Sequence, residues 1–263
     1  MSRARRAESL VSATLSLGDA SLRAAYVANV ARSWSVGDLA QALDAVCERA
    51  EQAEASAREA LIAIVDALNA DGMDEVVQRL REHAAGESLL ALERLIRSPP
   101  IVPLRGAVGV AAAPPRTGII AAPSGRPLTL GERKSLARRP DRDTMERLLG
   151  DPHPDVIHRL LCSARLLEDD VVRLAAKRPG RGDVLAEIAR STKWSHRPRV
   201  RLALVMNPAT PTEIAARVAG LLLRPELDRV VRSPAVPASV RAVCLEHLER
   251  RPPVEAREDE RVH

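Results

Sequence analysis

Apolar residues between positions 20 and 96 recur every three or four residues, which is the period of one helix face. Asp19 is a suitable N-cap for a first helix that we expect to extend to Arg32. A turn that contains Gly72 precedes two shorter predicted helices, at about residues 74–83 and 88–97. The pattern therefore predicts that this region is helical throughout.

The middle of this region predicts one long helix. Ser35, followed three residues later by Asp38, resembles a capping box. Apolar positions continue at helical spacing on both sides of an Ala/Glu/Arg-rich middle, so the helix is expected to reach about Asn69. A helix this long with a polar middle usually bridges or pairs with another helix. Two interpretations of the N-terminal module, residues 1–97, stay open: a homodimerisation module and a monomeric helical bundle.

Residues 98–127 break the pattern, with seven prolines, four glycines and no acidic residue. Prolines at this density forbid a helix, so we expect a linker that is extended or disordered. Two apolar stretches within it, 108–113 and 119–120, leave open whether part of the linker docks on a domain or adds a strand to a partner. The last residues, 252–263, are predicted to be a disordered tail.

Residues 128–251 repeat a pattern of a helix end, a polar turn and a new apolar run. The predicted helix ends are Arg139-Pro140, Ser163-Ala164, Arg178-Pro179, Asn207-Pro208 and Ser233-Pro234. Counted from those ends, the sixth residue is apolar in three copies (Leu185, Ile214, Val240) and the tenth in four (Leu174, Ala189, Val218, Cys244). Positions four apart share one helix face, so these side chains are predicted to form one buried stripe.

A second helix type appears when Ser163 is aligned with Asn207. Apolar positions then coincide, Val156 with Val200 and Leu160 with Leu204, and both helices have a proline in their first turn. The intervals between helix ends suit hairpins of two short helices, which cannot bury their apolar faces alone. Stacked hairpins share one core, so we predict a curved α-solenoid for this half of the chain.

Two turns of this half, Asp151-Pro152-His153-Pro154 and Asn207-Pro208-Ala209-Thr210-Pro211, resemble those of bacterial HEAT-like repeats of the leucine-rich-repeat-variant kind. The resemblance covers residues 128–251 and implies a helical array that binds macromolecules. Some proteins of that kind carry an N-terminal cysteine cluster for an iron-sulfur centre. Only Cys47 lies in the N-terminal region here, so no cofactor is expected.

The composition predicts an all-α protein. Ala, Leu and Val supply most of the apolar content, with no Phe, one Tyr and two Trp. Three distant cysteines give no disulfide framework, and no apolar stretch is long enough to span a membrane, so we expect a cytoplasmic protein. Nearly all basic residues are Arg, a bias that GC-rich coding alone produces, so Arg richness is not taken as evidence of function.

The net charge of +5 is unevenly distributed. Residues 1–97 hold 11 basic and 15 acidic residues, whereas residues 128–251 hold 24 basic and 16 acidic ones. These opposite signs are compatible with an acidic partner on the C-terminal half, or with attraction between the halves.

The most distinctive local feature is residues 193–201, Lys-Trp-Ser-His-Arg-Pro-Arg-Val-Arg. An exposed Trp among basic residues is typical of an interface hot spot or a phosphate-binding edge. A second interpretation stays open, in which Trp194 fills the long interval between repeats and the arginines are solvated. On the first interpretation, this segment and the basic first repeat helix bind a protein partner through Trp194, His196, Arg197, Arg199, Arg201, Arg138 and Arg139.

The predicted function is a non-enzymatic scaffold or adaptor for a protein partner, with nucleic-acid binding by the same basic face as the alternative. Acidic residues at 168–170 interrupt the positive charge, and no aromatic residues are interleaved for base stacking, which disfavours nucleic acid. Common catalytic motifs do not occur, so no enzyme activity is expected. His158 with Cys162, and Cys244 with His247, have metal-ligand spacing, but Cys244 aligns with core positions, so no metal is expected.

Overall fold

The computed structural model describes residues 2–97 and 126–251, and every helix named here lies in those ranges. The N-terminal half contains α1 Arg3–Ser16, α2 Ala20–Ser33, α3 Val36–Glu51, α4 Ala55–Asn69, α5 Asp74–Glu87 and α6 Leu90–Ile96. The C-terminal half contains α7 Leu130–Leu136, α8 Arg142–Leu148, α9 Pro154–Leu161, α10 Glu168–Ala176, α11 Gly182–Arg190, α12 Thr192–Ser195, α13 Pro198–Met206, α14 Thr212–Ala219, α15 Arg224–Val231 and α16 Ala238–Arg250. The predicted all-α class is confirmed for the described residues.

Helix α3 lies at the centre of the N-terminal half, where it contacts α1, α4, α5 and α6. Its predicted N-cap is confirmed, because the Ser35 side chain accepts a hydrogen bond from the backbone N–H of Asp38. Asp19 likewise caps α2. Helix α1 was not predicted. It begins at the N-cap Ser2 and buries Leu10 and other small apolar side chains.

The prediction of a single long helix is wrong, because α3 and α4 are separated by a turn. Ala53 adopts a left-handed conformation with φ of 66°. Glu54 accepts hydrogen bonds from the Arg49 guanidinium and the Ser56 hydroxyl across this turn. The turn lets α4 fold back against α3, which buries Ala50, Ala57 and Ala60 of the two helices in the core. Burial of that surface outweighs the strain of one left-handed alanine.

In the C-terminal half, each helix contacts helices that lie near it in the sequence. Contacts join α8 with α9, α9 with α11, α10 with α13, α13 with α14 and α14 with α16. The predicted stripe is buried in one continuous core, including Leu185 at 1%, Ile214 at 8% and Val240 at 1% exposure. The second predicted helix type is buried in the same core, at Val156 and Val200.

A buried asparagine ties successive turns of this half together. The side-chain amide of Asn207 donates hydrogen bonds to the carbonyl oxygens of Ala175, at 2.7 Å, and Lys177, at 3.1 Å. Its own carbonyl oxygen accepts the backbone N–H of Ala209 at 3.0 Å. The end of α13 is therefore fastened to the end of α10, which explains why an Asn-Pro turn stands at this place in the sequence.

The two halves pack against each other. Helices α2, α4 and α6 of the N-terminal half contact α11, α12 and α14 of the C-terminal half. Leu221 joins the core of the N-terminal half, and a Cβ atom added to Gly220 would lie 3.0 Å from Leu95 Cδ1. The interpretations of the linker and of the tail fall on residues 98–125 and 252–263, outside the described residues. No helix in the described part of the chain is both long and apolar enough to cross a membrane.

Candidate partner-binding surface

Trp194 lies in the core of the C-terminal half. It belongs to the single turn of α12 and is 4% exposed. Its indole N–H donates a hydrogen bond of 2.9 Å to the carbonyl oxygen of Leu161, and the Lys193 ammonium lies 4.5 Å from the ring centroid. The expectation of an exposed tryptophan is therefore wrong. Trp194 fills the interior between helices, which is the second interpretation of the sequence.

His196 and Arg201 lie against the N-terminal half. The Nδ1 atom of His196 is 3.8 Å from Oδ2 of Asp66 in α4. Arg201 is 7% exposed and donates a hydrogen bond of 3.4 Å to the carbonyl oxygen of Ser195. Burial lowers the pKa of Arg201, although the negative charges of Glu226 and Asp66 oppose this shift. The burial of Arg201 contradicts its expected place on an open basic face, because packing in the folded chain covers it.

Arg197 and Arg199 remain exposed, but each lies beside a carboxylate of the first turn of α10. The Nε atom of Arg197 is 4.0 Å from Glu168, and Nη1 of Arg199 is 2.6 Å from Asp169. We call these four residues the mixed-charge edge. Arg138 and Arg139 are also exposed, on the turn between α7 and α8. The predicted basic face is therefore divided between buried residues and an edge where both signs of charge alternate.

Arginines of the C-terminal half bind polar atoms of the N-terminal half. Nε of Arg217 donates a hydrogen bond of 2.6 Å to Oδ1 of Asn69, and both side chains are buried. Arg190 donates to the backbone carbonyl oxygen of Asn69 at 3.3 Å and lies 3.3 Å from Asp71 Oδ1. Burial lowers the pKa of Arg217 to about 10. Only Arg190–Asp71 among these contacts pairs opposite charges, and Arg81 and Arg97 of the N-terminal half pair with Glu213 and Glu246 in the opposite sense. The attraction between oppositely charged halves stays a prediction of the sequence.

Asp66 is a buried carboxyl group at the same interface. It is 2% exposed, and neither carboxyl oxygen has a hydrogen-bond partner among the described residues. Burial raises the pKa of Asp66 to about 7. The nearby Ser195 hydroxyl and the positive charge of Arg201 oppose this shift. Burial also lowers the pKa of His196. Burial therefore favours the neutral form of both side chains, which disfavours a fixed ion pair between them.

A further polar cluster joins α3 and α6 to α16. Arg94 donates two hydrogen bonds to the Glu51 carboxylate, at 2.8 and 2.6 Å. Nδ1 of His247 lies 3.9 Å from Glu51, and burial lowers the pKa of His247 to about 3. Arg251 donates hydrogen bonds to two backbone carbonyl oxygens of the segment after α14. The cavity beside this cluster measures about 10 Å³, which is too small for a ligand larger than water.

A surface groove lies between the turn that joins α8 to α9 and the first turn of α11. Its deeper part has a volume of about 250 Å³ and an apolar floor that includes Leu174 and Val184. A shallower part of about 280 Å³ continues past Gly150 toward Arg173. Lys177 lines both parts. We call this surface the Lys177 groove.

The sequence contains a signal for the burial of Arg201 but none for the Lys177 groove. Aligning Ser163 with Asn207 places Arg201 on Ile157, which is fully buried, so the repeat itself signalled that Arg201 lies inside. The Lys177 groove had no such signal. Its walls come from residues 146–152, 170–177 and 179–185, which only the packing of three helices brings together.

The residues with metal-ligand spacing form separate contacts. Nδ1 of His158 lies 3.0 Å from Oε2 of Glu187, and Cys162 is exposed. Cys244 is fully buried in the core, as its alignment with apolar positions predicts. Within residues 2–97 and 126–251, no group of three or more His, Cys, Asp or Glu side chains is arranged to hold a metal ion.

A scan against protein-family models, a search of curated proteins and a search of solved structures each found no match to this chain. The resemblance to HEAT-like repeats therefore rests on the repeated motifs of the C-terminal half.

Proposed function

We propose that the protein is a non-enzymatic scaffold that binds a protein partner on the surface of its C-terminal half. In this proposal α7–α16 form a short solenoid of HEAT-like hairpins, and the N-terminal half covers one of its sides. A cytoplasmic location and a homodimer formed through the N-terminal helices stay predictions of the sequence.

The observation that carries the proposal is the surface around α10. The first turn of this helix contributes Glu168 and Asp169 to the mixed-charge edge. Its last turn contributes Arg173 and Leu174 to the Lys177 groove. An apolar groove floor and paired charges thus lie along one short helix, as in the core and rim of protein interfaces. In such interfaces apolar contact supplies affinity and polar groups supply orientation.

Nucleic-acid binding by the same surface is the weaker candidate. Affinity for a phosphate backbone needs several cations that are free to replace counterions. Arg197 and Arg199 already lie beside carboxylates, and Arg201 is buried. The exposed Arg138 and Arg139 add two charges on a separate turn.

Affinity capture with the full chain tests the proposal, with an Arg197→Glu, Arg199→Glu double variant for comparison. An Arg229→Glu, Arg232→Glu double variant is the matched control, because it makes the same charge change at two exposed positions, one in the last turn of α15 and one at its C-cap. We expect the parent and the control to recover the same protein at 0.3 M salt (roughly a 6 Å Debye length), and the edge variant to lose it. Recovery of duplex DNA instead, released by salt, would overturn the proposal, and equal recovery by all three chains would remove the edge from the binding surface.

A further inference from the structure

We infer that the Lys177 groove binds an extended acidic segment of the partner protein, with a side-chain carboxylate on the Lys177 ammonium and neighbouring apolar side chains on the Leu174 and Val184 floor. This inference rests on the proposed scaffold function and names the chemistry of the partner.

The shape of the groove favours a polypeptide segment. The two hollows, about 250 and 280 Å³, lie in series and share Leu149, Gly150, Leu174 and Lys177 as walls. An extended chain places alternate side chains about 6 to 7 Å apart on one face, so it is suited to filling successive hollows.

The charges around the groove leave Lys177 as its available cation. Asp151 is paired with the buried Arg133. Asp170 accepts hydrogen bonds from Arg142 at 2.8 Å and Arg173 at 2.6 Å, and these hold the pKa of its carboxyl well below the usual range. Glu146, which also lines the groove, pairs with Arg142 at 3.1 Å, and the lining Arg181 pairs with Asp183 at 2.7 Å. The carboxylates that line the groove are therefore paired and do not compete for an ammonium group.

The backbone of Lys177 is held in place, and its ammonium group has no partner among the described residues. Its backbone carbonyl oxygen accepts a hydrogen bond of 3.1 Å from Asn207, which fixes the chain at this point. A Cβ atom added to Gly150 would lie 3.9 Å from the Lys177 Nζ atom, so the ammonium lies over the glycine at the meeting point of the two hollows. Among the described residues Nζ has no ion-pair or hydrogen-bond partner, whereas Lys134 pairs with Asp155 and Lys193 donates to a backbone carbonyl.

One available cation above an apolar floor selects for a carboxylate flanked by apolar residues. A polyanion such as nucleic acid gains its affinity from many phosphate contacts, which this groove does not offer. A charge-assisted hydrogen bond made partly out of solvent is about twice as strong as a neutral one, so the carboxylate is expected to determine specificity.

The test uses the full chain and a fluorescent acetyl-Leu-Asp-Glu-Leu-amide probe, compared with acetyl-Leu-Asn-Gln-Leu-amide. We expect saturable binding of the acidic peptide that is at least about tenfold tighter than that of the amide peptide. Lys177→Glu is expected to abolish this difference, Lys177→Arg to retain it, and Arg229→Glu, the control with the same charge change, to leave it unchanged. A carbodiimide, which joins amines to carboxylates directly, is expected to link the acidic peptide to Lys177 in preference to Lys134 and Lys193.

Equal binding of the two peptides, no saturable binding of either, unchanged selectivity in Lys177→Glu, or cross-links spread over all three lysines would overturn the inference. Affinity capture separates this failure from that of the proposed function. If Lys177→Glu recovers the partner as well as the parent does, the groove assignment is wrong and the scaffold function stands. If the parent recovers no protein, the scaffold function itself is wrong.

Discussion

Single buried side chains at the interface between the halves have environments that alter their protonation. Asp66 has no hydrogen-bond partner among the described residues, and Nδ1 of His196 lies 3.8 Å from its Oδ2 atom. Burial favours the neutral form of both, so it raises the pKa of the carboxyl and lowers that of the imidazole. The stability of the protein should therefore depend on pH through these residues.

Asp66→Asn is expected to stabilise the protein at pH 8 and to have little effect at pH 4. The pKa of Asp66 rises from 3.8 to about 7 on folding. Between these values the unfolded chain has lost a proton that the folded chain retains, so stability falls as pH rises through this range. Above pH 7 the full penalty applies, on the order of 4 kcal/mol as an upper limit. Urea unfolding of parent and variant at both pH values measures the difference.

Asp71→Asn is the control for this prediction, because the Asp71 side chain is 85% exposed. It is expected to show no gain at pH 8. A difference between parent and Asp66→Asn that is the same at pH 4 and pH 8 would contradict a raised pKa.

At the scale of secondary structure, short-range signals mark several helix starts. Asp19 and Ser35 cap helices as their positions in the sequence predict, and Pro154 and Pro198 each stand in a first helical turn. The turn between α3 and α4 lacks a short-range signal of this kind. No glycine or proline marks it, because the gain from packing the two helices together is a tertiary effect.

Ala53→Gly is expected to stabilise the protein by about 1 kcal/mol, since glycine adopts the left-handed conformation without the steric penalty of Cβ. Ala85→Gly is the matched control: Ala85 is exposed within α5, and the same substitution there should destabilise the protein by about 1 kcal/mol. Chemical unfolding of both variants measures the sign of each change in the free energy of unfolding. Destabilisation by Ala53→Gly would show that the turn is not left-handed in solution.

At the scale of the whole molecule, the two halves are expected to unfold together. Their interface buries Arg217, which bonds to Asn69, and Asp66. Separation of the halves would break the Arg217–Asn69 bond and expose the Leu221 contact with the N-terminal core. Unfolding of one half would therefore remove contacts that stabilise the other, so we expect one cooperative transition.

Trp34 and Trp194 provide a test, since one lies in each half. Trp34→Phe and Trp194→Phe each leave one fluorescent reporter. Within each variant, the urea midpoint from fluorescence is expected to equal the midpoint from circular dichroism, which monitors helices of both halves. This comparison is independent of any loss of stability that the substitution itself causes. Two separate transitions would show that the halves are independent folding units.

The amino-acid sequence by itself determined the helical class, the starts of α2, α3, α9 and α13, and the buried stripe through Leu185, Ile214 and Val240. Caps, prolines and helical periodicity act over a few residues, so they can be interpreted without knowing the packing. The repeat alignment also contained the burial of Arg201, through its equivalence with Ile157.

Only the tertiary structure decided which groups surround the basic residues of segment 193–201. Arg197 and Arg201 lie four residues apart in one basic segment, yet the first is exposed and the second is buried. Distant segments make the difference: Glu226 of α15 and the buried Asp66 of α4 act on Arg201, whereas the half-buried Glu168 of α10 lies beside Arg197. The Lys177 groove arises in the same way. Contacts between distant segments create these environments, and the local sequence pattern does not predict such contacts.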